Sequence, residues 1–353
     1  MNFKIGHRII GDNARTFIVA EISSNHGHNY NRAVALIKKA KECGADAVKL
    51  QTSHPDNLTL NIDNKYFKIN DKHSLWNKKT LYELYTETYT PVEWQPKLKK
   101  LAENIGLLCF STPFDKTAVD FLEQMKTPAY KIGSFEITDI PLIEYVASKK
   151  KPVIISTGVA TIEDIKEAIQ ACKRKGNSTI ALLKCVSTYP TRLPEVNLAS
   201  LYDLKRRFHT IVGISDHSLS VSVPVASVAI GAKIIEKHLI LDRKKYPNFP
   251  DSGFSLEPQE FKQMVTCVRE AEIAMGDKTY RLTANQKKMR DNFSRSLFVV
   301  QDVAKGEVFT EENIKSIRPG WGLHPRYLNN IAGKRTAKKD IRKGTPLSWE
   351  LLK

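Results

Sequence analysis

The sequence predicts an α/β fold, a (β/α)8 TIM barrel followed by a small β-rich domain, and three observations carry that prediction. Eight short apolar runs, near residues 17–22, 46–51, 107–111, 129–132, 152–156, 179–185, 211–214 and 233–238, alternate with stretches of helical period, the signature of βα units rather than of a sandwich. Six of these runs end in Lys, His or Glu: Glu21, Lys49, Lys131, Lys184, His217 and the Glu236-Lys237-His238 triplet. In such a barrel the carboxyl ends of all eight strands converge on one active site, so these endings read as an enzyme's mouth. The 353 residues also exceed what one core usually serves, which leaves room for a second domain.

The connecting helices follow from caps and periodicity. Asn31 is expected to cap a helix running to Cys43, with Ala33, Leu36, Ile37 and Ala40 on one face and Gly44 ending it. Thr161, with Asp164 three residues on, predicts a capped helix that stops at Gly176. The last barrel helix is expected from Pro258 to Met275, with Phe261, Met264, Val265 and Val268 at helical spacing. Residues 53–90 form a long insertion rich in Asn, Lys, Tyr and Trp between the second and third strands. Insertions of that length are usually functional or disordered, and this one is expected to cover the substrate.

These elements place the barrel at 1–280, a polar, helix-friendly linker at 281–292 and the small β-rich domain at 293–353. Asp302-Val303-Ala304-Lys305-Gly306 nearly repeats in Asp340-Ile341-Arg342-Lys343-Gly344, predicting two turns of similar geometry.

Composition narrows the function. The formal charge is +17, and residues 277–353 alone hold 17 Lys and Arg against 8 Asp and Glu. A positive mouth and basic tail suit a phosphorylated or carboxylated small substrate, because such charge focuses anions onto a cleft. Nucleic acid ranks well behind, since no aromatic and basic platform is present. Five scattered cysteines without a C-x-x-C pair give no disulfide framework, which points to a reduced cytoplasm. The most apolar stretch, 221–235, is too short to span a membrane and contains Pro224 and Lys233, so no membrane role is expected.

The strand-end residues suggest the chemistry. His217 and His238 end adjacent predicted strands, so neutral imidazole nitrogens can bind one divalent metal; the bland alternative is a pair of hydrogen-bonded core histidines. Asp216, Glu236 and Asp251 lie close enough in sequence to act as further ligands or to orient the histidines, which favours the metal. Lys49 and Lys131 sit in apolar runs, where a buried ammonium needs a partner. With Ser111, Thr112, Ser134, Ser156, Thr157, Gly158 and Ser215 they make a cradle for phosphate or carboxylate. The competing reading is internal pairing, Lys131 with Glu136 or Lys49 with Glu21. Glu21 is either a general base that positions a water or one arm of a structural salt bridge.

Taken in order, the strings from Ala20 to His26, Val48 to Thr52, Phe110 to Phe114, Ala129 to Glu136, Ser156 to Gly158, Tyr189 to Thr191, Gly213 to His217 and Ile235 to His238 resemble the sialic acid synthase family over nearly the whole chain. The tail, with Ile317-Arg318-Pro319-Gly320, looks like that family's antifreeze-like (SAF) domain. Ser74-Leu75-Trp76, Leu81 to Tyr85, Asp56 to Leu60, Gly253 to Leu256 and Gly322 to Pro325 resemble the pseudaminic acid synthase branch.

The resemblance implies condensation of phosphoenolpyruvate with an open-chain amino sugar, releasing phosphate. It assigns Mn2+ or Mg2+ to His217 and His238, one ion per subunit. Phosphoenolpyruvate falls to Lys49, Thr112, Lys131, Ser134, Ser156 and Ser215, and the water to Glu21 or the metal. Glu136, Ser187 and Tyr189 are expected to bind substrate, and Asp251 would contact the sugar or a metal-bound water. Arg318 would reach the barrel of a partner subunit, implying a domain-swapped homodimer, and the product would decorate flagellin or a surface glycan. Ser187 departs from the Asn of sialic acid-making members, which fits a sugar with a methyl in place of the 6-hydroxyl and an apolar pocket near the insertion. The rivals are the same chemistry on N-acetylmannosamine or the legionaminic acid precursor, a pyruvate-using metal-dependent aldolase, and a non-catalytic carbohydrate-binding or nucleic-acid-binding protein.

Overall fold

The computed structural model describes residues 1–353 except His73 and Lys278 and divides into two compact units, residues 1–276 and 277–353. In the first, a hairpin of β1 (Asn2–Ile5) and β2 (Arg8–Gly11) precedes eight parallel strands. These are β3 (Phe17–Glu21), β4 (Ala47–Thr52), β5 (Leu108–Pro113), β6 (Tyr130–Ile132), β7 (Val153–Ser156), β8 (Ile180–Cys185), β9 (Ile211–Asp216) and β10 (Ile234–His238). They close in sequence order, β10 pairing with β3 to complete the barrel.

Alternation along each strand builds two cores. Phe17, Val19, Ala47, Phe110, Ile154, Ala181, Ile211 and Ile234 fill the barrel interior, joined by Ile5 and Ile10 of the hairpin. Ile18, Ala20, Val48, Leu50, Ile132, Ile155, Val212, Ile214 and Ile235 face outward to meet the helices. Parallel strands buried on both faces read as continuous apolar runs, which is why all eight are visible in the sequence.

The helix Tyr30–Glu42 buries the expected face, Ala33, Leu36, Ile37 and Ala40, but its cap is Asn29 rather than Asn31. The Asn29 side chain accepts from Arg32 N, while Asn31 lies inside the first turn and is exposed. Thr161 and Asp164 form the expected capping box of Ile162–Arg174, and the last barrel helix spans Pro258–Ala274. The insertion carries two helices, Pro55–Leu58 and Leu81–Thr88, the second held by a Thr80–Glu83 capping box. Among the described residues no helix is long and apolar enough to cross a membrane.

The second unit opens on a helix, Ala284–Phe293, capped by Thr283 and Gln286, so most of the segment expected as a linker is helical. Its antiparallel pair, β11 (Ser296–Val299) and β12 (Ile314–Ile317), and several isolated bridges surround a core that includes Leu297, Val299, Phe309, Ile314, Ile331 and Leu347. The repeated motif folds as a reciprocal pair. Val303 and Ile341 exchange backbone hydrogen bonds, Asp340 accepts from Lys305 N and Asp302 from Lys343 N, both at 2.7 Å, and Gly306 and Gly344 take φ of 84° and 88°.

Candidate active site

The carboxyl ends of the barrel strands surround a cavity of about 610 Å3. Of the expected residues, Lys49, Thr112, Lys131, Ser134, Glu136, Ser156, Tyr189, Ser215, His217, His238 and Asp251 line it. Glu21 is buried beside the cavity against Lys49, whereas Ser187 packs with Ser134 and Cys185 around Gly158, where a Cβ would lie 2.2 Å from the Ser187 hydroxyl. Arg318 lies in the second unit and is exposed.

The two lysines differ in their partners. Lys49 Nζ lies 2.5 Å from Glu21 Oε2 and 3.7 Å from Glu236 Oε1, and donates to Thr112 Oγ1 at 3.1 Å. Internal pairing therefore holds for Lys49. Lys131 Nζ donates to Ser156 Oγ at 2.6 Å and to Ile132 O at 2.8 Å, and no carboxylate comes within ion-pair distance of it among the described residues. Burial presses the Lys131 ammonium below its usual range, with Glu236 opposing. An ammonium has three N–H donors, so one remains for a ligand.

The two deepest carboxylates are driven apart. Burial pushes Glu21 up to about 7, with the Lys49 ammonium opposing and the neighbouring Glu236 adding to the rise. For Glu236 burial also acts upward, but Lys49, Lys131 and His217 together outweigh it and hold the acid below its usual range. Two neighbouring carboxyl groups tuned in opposite directions suit a proton carrier and a fixed charge.

His217 and His238 face each other with ring centroids 5.3 Å apart. His217 Nδ1 is bonded to Val186 O at 3.0 Å, which fixes the ring and leaves Nε2 available to a ligand. Burial acts downward on His217, yet the Cys185 thiol and the Val186 carbonyl raise it overall. Burial, followed by the charges of His217, Lys49 and Lys237, holds His238 well below the usual imidazole range, hence neutral. His238 Nδ1 is buried without a hydrogen-bond partner. A neutral ring with an orphaned nitrogen facing a second fixed ring fits a divalent cation. Among the described residues no group of three or more His, Cys, Asp or Glu that could hold a metal gathers, so these two imidazoles are the only pair the site offers to a cation.

A polar relay joins strand ends that are distant in sequence. Gln51 Nε2 donates to Ser23 Oγ at 3.0 Å and more weakly to Glu21 Oε1 at 3.4 Å; Ser23 Oγ and Ser24 Oγ both donate to Asp251. Ser23 holds this position with φ of 44°. The insertion supplies an apolar wall, Leu58, Ile69, Trp76, Leu81, Leu84 and Tyr85, interrupted by Ser53, Asp71, Ser74 and Thr88, and the barrel loops add Phe114 and Phe135. Trp76 donates to Pro250 O at 3.0 Å and packs against Tyr189, whose ring lies 4.6 Å from that of His217.

Known proteins resemble this chain in sequence and in fold. A NeuB family model matches residues 36–280 and a SAF domain model matches residues 294–353. The pseudaminic acid synthase of Campylobacter jejuni subsp. jejuni serotype O:2 is 46% identical over 334 residues, 94% of this chain and 95% of its own length. The chain belongs to the NeuB family. The pseudaminic acid synthase of Helicobacter pylori is 43% identical over 94% of this chain and 96% of its own. Among solved structures, the spore coat polysaccharide biosynthesis protein spsE of Bacillus subtilis superposes with a TM-score of 0.67 at 32% identity, covering 100% of this chain and 99% of the other.

Within this NeuB-family barrel, sequence reasoning missed the roles of Ser23 and Gln51, although both stand at strand ends. It also missed Trp76 and Phe254, whose ring lies 4.9 Å from those of Tyr189 and His238. The available signals were the branch-like strings that hold Trp76 and Phe254, which were not connected to the site.

Proposed function

We propose that this NeuB-family enzyme is a pseudaminic acid synthase, which condenses phosphoenolpyruvate with the open-chain form of 2,4-diacetamido-2,4,6-trideoxy-β-L-altropyranose to give pseudaminic acid and phosphate. The observation that carries the reading is the mixed lining of the cavity: lysines and hydroxyls of the barrel strands beside two buried imidazoles, and, from the insertion, apolar side chains such as Leu81, Leu84 and Tyr85 among polar ones. The lysines and hydroxyls suit a small dianion and the apolar side chains a sugar with a methyl in place of the 6-hydroxyl.

Lys49, Lys131, Thr112, Ser134, Ser156 and Ser215 are assigned to the carboxylate and phosphate of phosphoenolpyruvate, since ammonium groups and hydroxyls give charge-assisted hydrogen bonds. His217 and His238 would hold the divalent metal, which when bound supplies Lewis-acid polarisation of the sugar aldehyde. Carbon 3 of the enol then attacks the aldehyde carbon, leaving an oxocarbenium at carbon 2, and the former aldehyde oxygen becomes a hydroxyl with the proton that the adding water gives up through Glu21. Water adds at carbon 2, giving a proton to Glu21, whose pKa of about 7 suits a base that must also return it. The tetrahedral adduct expels phosphate by C–O cleavage, leaving the ketone.

Asp251, Glu136 and Tyr189 are assigned to the sugar. Arg318 is assigned, from the family resemblance alone, to the sugar's amide groups in a homodimer. Phosphate release should require phosphoenolpyruvate, the deoxy sugar and a divalent metal together, and should fail in His238→Ala. Release without sugar, or condensation that uses pyruvate instead, would overturn the reading.

A further inference from the structure

Lys237 is a fully buried ammonium that the proposed reaction does not use. Alternation along β10 turns Glu236 and His238 into the cavity, so Lys237 points the other way, into the layer between strands and helices where Ile235 also lies. Aliphatic side chains normally fill that layer. Its partner Asp216 stands directly opposite in the β9–β10 register, and Lys237 Nζ lies 2.5 Å from Asp216 Oδ2. The same ammonium donates to Ser218 O, and Asp216 Oδ1 accepts from Ser218 N at 2.9 Å. Residues 216, 217 and 218 are therefore closed into one turn with Lys237 at its hub and His217 at its centre.

A buried ion pair of this kind is a poor source of stability, because desolvation offsets most of the attraction and apolar pairs of similar size often do as well. Its position accounts for its presence better. The pair ties the carboxyl ends of β9 and β10 together on the outer face, directly behind the two histidines on the inner face. We propose that Lys237 is a positioning residue that fixes the turn carrying His217 and so sets the spacing of the His217 and His238 rings for a divalent cation. The inference rests on the metal reading above and adds to it a residue that touches neither metal nor substrate.

The test compares full-length wild type, Lys237→Met, and the double variant Lys237→Met with Asp216→Leu. Manganese affinity is read by electron paramagnetic resonance of free Mn2+ without substrate, and stability by urea unfolding. In Lys237→Met the unpaired carboxylate lowers stability. In the double variant stability returns toward wild type, because an apolar pair replaces the ion pair, yet manganese binding stays weaker by roughly 10- to 100-fold, the usual effect of losing a group that orients a metal ligand. A double variant that recovers both stability and wild-type affinity would overturn the inference. Wild type that fails to bind Mn2+ would instead overturn the metal reading.

Discussion

Replacing Lys131 by Met should impair the enzyme without unfolding it, and replacing Lys49 by Met should do both. Lys49 is the one cation at ion-pair distance from Glu21 and Glu236 among the described residues, all three buried, so its removal leaves the two carboxyl groups without a direct partner. Breaking a buried pair in that way costs about 3 to 5 kcal/mol. Lys131 has no carboxylate at ion-pair distance among the described residues and gives two of its three N–H donors to Ser156 and Ile132. Its loss removes two hydrogen bonds, worth about 1 kcal/mol each, and also removes a poorly compensated buried charge. The net change in stability should lie within about 1 kcal/mol of zero. Function should respond differently. The free N–H of Lys131 is available for one charge-assisted hydrogen bond to the anion, worth about 1.5 to 3 kcal/mol, so kcat/KM for phosphoenolpyruvate should fall roughly 10- to 150-fold. Urea unfolding of both variants and steady-state phosphate release with Lys131→Met are the assays. A loss of stability in Lys131→Met equal to that in Lys49→Met, or an unchanged kcat/KM, would refute the assignment of the lysines.

Three further outcomes are expected. His26 is buried, its Nδ1 accepting from His28 N and its Nε2 meeting Thr90 Oγ1 at 3.0 Å; burial, then His28 and Arg32, push its pKa down to about 3. The unfolded chain protonates below about 6.5 and the folded one resists, so wild-type stability is complete above that pH and declines as pH falls toward 3. Between pH 7 and pH 4 this group accounts for ~3 kcal/mol, which His26→Gln should remove from the pH profile of the urea midpoint. Leu81→Asn in the apolar wall should narrow the preference for the 6-deoxy sugar over its 6-hydroxy counterpart by roughly tenfold in kcat/KM; an apolar pocket rejects an added hydroxyl by no more than about 100-fold in any case. Asp46, which lies just before β4 and accepts from Ile18 N while pairing with Arg8 and Arg269, should cost about 3 kcal/mol when changed to Ala and leave the KM for phosphoenolpyruvate unaltered.

The barrel was legible because its strands are buried on both faces and its ionisable residues stand where the apolar runs stop, as with Lys49, Lys131, His217 and His238. The cap of the first barrel helix was misplaced by two residues because Asn29 and Asn31 carry the same side chain and helical period does not fix a terminus that closely. The β1–β2 hairpin was missed since four-residue strands of mixed polarity resemble any loop. The pairing of Lys49 with Glu21 was open to the sequence, since they stand opposite each other on the neighbouring strands β3 and β4, whereas the absence, among the described residues, of a carboxylate at ion-pair distance from Lys131 depends on side-chain direction, which one-dimensional order does not encode. The relay from Glu21 through Gln51 and Ser23 to Asp251 is hidden for the same reason, as more than two hundred residues separate Ser23 from Asp251.

The account's central claim is tested most directly by measuring kcat/KM for phosphate release with three acceptors in parallel: the 6-deoxy diacetamido altrose, N-acetylmannosamine and the legionaminic acid precursor. A clear preference for the deoxy altrose is predicted. A preference for N-acetylmannosamine or the legionaminic acid precursor would contradict the sugar assignment, and no phosphate from any acceptor with Mn2+ present would contradict the synthase itself.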